Sequence, residues 1–190
     1  MARDLGMTAG EVDSAAGEVL DFWFGLPKEK RFAKDPALDR EIATRFGAVR
    51  RVVHDTAAQA WRDDPRTLLA AIVLLDQFSR NLFRDDPRAF ASDGIARDLT
   101  DRAIAKGWDA AMTAEERVFL YMPLMHGEDP ASQARSVAMF EKLGIAENLA
   151  FARDHAAVID RFGRFLSRNA ALGRETTAVE QAYLADGGGW

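Results

Sequence analysis

The 190-residue chain contains no cysteine. That removes disulfides, thiolate nucleophiles and zinc sites built on cysteine, and it fits a reducing compartment. Proline is sparse at six residues and histidine sparser at three, so few breaks interrupt helices and few imidazoles are on hand for acid–base or metal chemistry. Positive charge is not in excess. The 30 acids outnumber the 25 lysines and arginines, for a net charge of -5, whereas a general nucleic-acid binder needs a basic surface. No segment approaches the roughly 18 unbroken apolar residues of a membrane span. The first residues have acids early and lack the apolar core of a signal peptide, so the expected location is the cytoplasm. Alternating runs of β-branched and aromatic residues between hairpin turns are missing, which argues against a sheet. H-E-x-x-H, G-x-S-x-G, the Walker loop and G-x-G-x-x-G are missing too, which lowers the expectation of an enzyme.

What is present is the composition of a soluble globular protein, 48% hydrophobic and 29% charged, at the length of one ordinary domain. A single helical domain over residues 1–190 is expected, with 1–13 and 186–190 as loose termini. The chain is organised around Leu68 to Phe83, LLAAIVLLDQFSRNLF. Its eight leading apolar residues exceed the one-sided stripe of a surface helix, so it reads as a central element covered on most sides. Polar groups then arrive inside it. On a helix Asp76 pairs with Arg80 and Gln77 with Asn81, and Arg84 falls on the same broad face. Buried charges need partners, so other parts of the chain must meet them.

Around this centre the helix signals are frequent. Val19, Leu20, Trp23 and Phe24 recur at helical spacing in a first helix from Ser14 to Phe24. KEKRFAK reads as a charged loop. Asp35 before Pro36 starts a long helix carrying Ile42, Phe46, Val49 and Val53 and continuing through Ala57 and Trp61. Asp64 and Pro65 start the central helix, which ends near Phe83. Asp86 and Pro87 open a short turn, and Ile95, Leu99 and Ile104 mark a helix closed by Gly107. Thr113 with Glu116 forms a capping box, and Pro123 is expected to kink or end the helix that follows. Pro130 to Gly144 and Ile145 to Phe165 read as two more helices, and Thr177 with Glu180 caps a terminal one before the loose GGGW tail. The class is all-α, with antiparallel helical hairpins.

Four motifs, VLDFWFG from Val19, LLDQFSRNLFR from Leu74, FLYMPLMHGED from Phe119 and RFGRFLSRNAALGRET from Arg161, together resemble the bacterial domain-of-unknown-function 924 family. The resemblance runs from about Val19 to Leu184. It implies a compact, tetratricopeptide-like array of helices and carries no established activity. Two departures stand out. The family usually has Pro-His where this chain has Leu166 and Ser167, and Gly127 takes a position that is commonly serine. If the family histidine does chemistry, this chain lacks it.

Three constellations are candidates for function. The first joins Asp76, Gln77, Arg80 and Asn81 to the arginines of the last motif, Arg161, Arg164, Arg168 and Arg174, with Asn169 beside them. Converging guanidinium forks suit a carboxylate or phosphate, so this would be an anion site, with Arg80 preferred as the arginine facing an open pocket. The structural alternative is a salt-bridge network in which Asp76, Asp160, Glu175 and Glu180 neutralise the arginines. The second is Tyr121, His126, Glu128 and His155. A histidine beside a carboxylate can act as a general base, but His126-Gly127-Glu128 matches a zinc deaminase only superficially because the cysteine metal arm is missing. The third is aromatic. Phe22, Trp23, Phe24, Trp61, Phe78 and Phe83 could line a partner groove, although core packing is their commoner use. The reading that results is a non-enzymatic helical module for a small anionic ligand or an acidic peptide. A hydrolase or lyase with His126 or His155 as base is the alternative, and a structural domain, for instance a homodimer, is the third. No cofactor and no metal are implied.

Overall fold

The computed structural model describes residues 7–189, and among these the fold is all-α. They group into two compact units, the residues up to Arg84 together with Arg88–Met112, and Asp85–Pro87 together with the chain from Thr113 onward.

In the first unit, α1 (Ala9–Gly25) starts at a capping box between Thr8 and Glu11. The helix therefore begins five residues before Ser14, and residues 9–13 are helical, not loose, because Glu11 returns a carboxylate to the Thr8 N–H. Residues 1–6 and Trp190 lie outside the described residues. The charged KEKRF segment is also helical, as α2 (Lys28–Phe32), since buried Arg31 donates to the carbonyls of Phe24 and Leu26. In α3 (Pro36–Asp55) the cap carboxylate of Asp35 accepts from the N–H groups of Ala37 and Leu38. This helix ends at Asp55 and does not continue to Trp61. Ala57 and Ala58 adopt left-handed φ of 50° and 58°, and a 3-10 turn brings Trp61 back into the core.

The central element is α4 (Pro65–Ile72), a π-helical turn over Val73–Phe78, and α5 (Ser79–Leu82). Every residue from Thr67 to Ser79 is buried, with α1, α3 and α6 (Asp93–Ala105) packed around the element. Phe22, Trp23, Phe46 and Phe78 form its aromatic core, with ring centroids 5.1–6.1 Å apart. Four of the six aromatics proposed for a groove therefore serve packing instead, with Trp61 the fourth.

The second unit holds α7 (Ala114–Met125), α8 (Pro130–Leu143), α9 (Ala146–Phe162) and α10 (Ala178–Ala185). Its capping boxes at Thr113 and Thr177 form as expected. Helix α7 runs two residues beyond Pro123 before Gln133 donates to the carbonyls of Met125 and Gly127 and closes it. Helix α9 ends at Phe162, not Phe165, because Gly163 takes φ of 69° and turns the chain.

Candidate functional site

The polar end of the central element is an ion-pair lattice within the first unit. Arg80 donates to both carboxylate oxygens of Asp93 at 3.1 Å and stands 3.2 Å from fully buried Asp76. The expected Asp76–Arg80 pair is present. Gln77 and Asn81 do not pair with each other, because each has a better-placed carboxylate. Gln77 donates to Asp76 at 2.6 Å, and Asn81 shares Asp39 with Arg84, which approaches that carboxylate as a fork. Burial works against the charge of Asp39, but the hydrogen bonds and charge of Arg84 with Asn81 outweigh it and hold its carboxyl below the usual range.

The arginines of the last motif find their partners in their own unit. Arg164 grips Glu180 at 2.9 and 3.0 Å and also donates to the carbonyl of Glu175. Arg174 forms a fork on Glu128 at 2.8 and 2.7 Å. Arg168 is buried, stacks on Phe165 and donates to the carbonyl of His126. Arg161 is exposed and lies over Phe162 and Tyr183. Asn169 is buried and its amide reaches Thr176, while its Oδ1 has no partner among the described residues.

The acid–base candidates are positioned by the same clamp. Glu128 accepts two bonds from Arg174 and a third from the Phe165 N–H. Burial would raise its pKa, but these donors and the charges of Arg168 and Arg174 lower it on balance. A saturated, low-pKa carboxylate is a poor general base near neutrality. His155 is buried with Nδ1 2.8 Å from the carbonyl of Phe151, four residues back, and its ring packs on Phe165 and stands 6.3 Å from that of His126. Tyr121 is buried against Phe140. No group of three histidine, aspartate or glutamate residues among those described could hold a metal ion. At Gly127 the close approach is to α8: a Cβ there would stand 2.6 Å from the Cβ of Ser132.

One cation in the first unit differs from Arg80 and Arg84. Arg50 is only 6% exposed, yet among the described residues no carboxylate lies within bonding distance of it. Its Nε donates to Ser79 Oγ at 3.0 Å and its Nη2 to Ser92 Oγ at 2.6 Å, while Ser92 Oγ also stands 2.9 Å from His54 Nδ1. Phe83 carries the Arg50 guanidinium at 5.0 Å and that of Arg88 at 4.6 Å. Burial lowers the pKa of Arg50, the field of Asp55 opposes that, and the field of Arg88 adds to it. The sequence held a signal for this residue. Leu38, Ile42, Phe46, Arg50 and Val53 form the buried stripe of α3, so a guanidinium interrupts an apolar series.

The comparisons with known proteins agree with one another. A family model described as bacterial protein of unknown function, DUF924, matches residues 19–188. A solved structure of a protein of unknown function from Agrobacterium tumefaciens is 37% identical, with a TM-score of 0.88, over 92% of this chain and 99% of that one. Among curated proteins nothing matches.

Proposed function

The chain belongs to the DUF924 family of bacterial proteins of unknown function, and from that premise we propose that it is a helical binding module for a small anionic ligand, not an enzyme. The observation that carries this reading is the division among its arginines. Arg80, Arg84, Arg164 and Arg174 are each matched by carboxylates, while Arg50 is buried with only hydroxyl partners. An unmatched buried cation costs several kcal/mol, roughly, unless an anion or water meets it, so Arg50 is the arginine that gains most from an anionic partner. The enzyme alternative draws less support, since Glu128 is committed to Arg174 and Phe165. A buried guanidinium suits a small ligand better than an acidic peptide, which needs a row of exposed cations.

The same reading keeps the tetratricopeptide-like arrangement and the cytoplasm as proposals. In favour of the first, α7 packs on α8 and α8 on α9, as successive helical hairpins do. The absence of cysteine favours the second, and no described helix is long and apolar enough to cross a membrane. A homodimer would need a contiguous apolar face. The large apolar side chains exposed among the described residues are Phe32, Phe151 and Val179, and single exposures of this kind do not call for a partner. The test is a thermal-shift titration against acetate, inorganic phosphate and a glutamate-rich peptide at matched ionic strength. A ligand at about 100 times its Kd adds roughly 2.7 kcal/mol of stability, which is readily seen. A small anion that raises the melting temperature supports the module; a protein indifferent to all of them is not an anion-binding module.

A further inference from the structure

The two hydroxyls that hold Arg50 are not equally committed. Ser79 Oγ accepts from Arg50 Nε at 3.0 Å and gives its own proton to the carbonyl of Leu74 at 3.4 Å, so both of its roles are filled. Ser92 Oγ accepts from Arg50 Nη2 at 2.6 Å, and its proton is left for His54 Nδ1 at 2.9 Å. That arrangement requires a neutral imidazole with its proton on Nε2, since a protonated Nδ1 has no lone pair to offer. The next proton that His54 takes up must therefore land on Nδ1, against the same oxygen to which Arg50 donates. Ser92 is fully buried, so bulk water does not stand in for either partner. Of the three histidines in the chain, His54 is the one in the first unit.

Protonation reverses that hydrogen bond. Ser92 Oγ then accepts from two cations, and its own proton has no acceptor among the described residues. An imidazolium and a guanidinium sharing one oxygen lie well inside the roughly 8 Å over which salt screens charges. The other charged groups whose fields reach Arg50 are Asp55, next to His54 on α3, and Arg88, and they act in opposite directions. On the elements packed against α3, Asp76 and Arg80 are joined to each other and to Asp93 beside Ser92. An anion on the remaining N–H groups of Arg50 offsets the crowding of positive charge and so favours the added proton. By reciprocity the proton favours the anion. We propose that Arg50 binds its anion together with a proton on His54, with Ser92 linking the two, so that anion affinity rises as pH falls through the range in which histidine titrates. This inference rests on the anion-binding reading above and adds the regulation of that site by pH.

The experiment is calorimetric titration of the full chain with sulfate and with acetate at about pH 8 and about pH 6, on either side of the histidine range. Ionic strength is matched, two buffers of different ionisation heat are used to count protons, and the series is repeated with His54→Asn. Both anions stay ionised over that range, so a change in affinity belongs to the protein. Asparagine keeps an acceptor for Ser92 and cannot be protonated. Sulfate or acetate is expected to bind at least about threefold more tightly at the lower pH, with net proton uptake, and the ratio is expected to fall to near one in His54→Asn. Equal affinity at both pH values without proton uptake would overturn this inference and leave the anion-binding module standing. A pH dependence that persists in His54→Asn would overturn it too, because another group then titrates. If His54→Asn does not fold, the assigned imidazole resonances of the parent protein decide: those of His54 must move toward the protonated form on saturation with anion, and their indifference overturns the coupling. Binding of neither anion at either pH would overturn this inference, and the module falls with it if the thermal-shift titration is also flat.

Discussion

Arg80 and Arg50 carry the same group on neighbouring elements, and what surrounds each assigns it a different task. Arg80 neutralises Asp76 and Asp93. Removing it in Arg80→Ala takes the neutralising cation from two largely buried carboxylates and is expected to cost about 3–5 kcal/mol in urea denaturation. Anion affinity should stay as it was, the opposite of the pattern expected at Arg50. Glu128→Gln likewise breaks a fork, though a partly exposed one, and should cost about 2–3 kcal/mol at pH 7 by the same measurement. The Asp76–Arg80 contact was legible in the sequence because four residues on a helix bring side chains together. Asp93, Asp39 and Glu128 as partners were not, because their arginines lie 13, 45 and 46 residues away. Arg50 was overlooked for a related reason. A stripe read by hydrophobicity passes over a cation, even one at a buried position.

At the scale of elements, signals within four residues were dependable. The caps at Asp35 and Asp64 and the boxes at Thr113 and Thr177 all form. The start of α1 at the local Thr8–Glu11 box is an exception, lying ahead of the expected Ser14; the other failures came where a distant or backbone contact overrides local preference. KEKRF looks like a solvated loop until Arg31 is seen capping carbonyls at the end of α1. The helix after Asp35 would run on through Ala57 by period alone, but two left-handed residues stop it. The π turn leaves the apolar run of the central element intact and so has no sequence mark. Gly127 offers a direct test of element packing. A Cβ 2.6 Å from that of Ser132 forces the start of α8 to move, so Gly127→Ala should lower stability by about 1–3 kcal/mol. The loss should shrink in a Ser132→Gly background, and a double-mutant cycle measures that coupling.

For the molecule as a whole, several carboxylates titrate lower in the folded state than their ordinary values, Asp39 and Glu128 among them. The unfolded chain then binds more protons over the acid range, so stability rises with pH there. It should be level near neutrality and fall below about pH 4.5, as pH drops through the ordinary and then the depressed carboxyl values. Urea melts from pH 7 to pH 3 measure this, and Glu128→Gln should flatten the fall. The sequence by itself determined the helical class, most helix starts, the burial of the central element and the family. Each follows from composition, short-range periodicity or capping, which act within one or two turns. Only the tertiary structure decided which arginines are neutralised and which is not. A guanidinium's role depends on carboxylates tens of residues away, and no local pattern encodes whether they arrive.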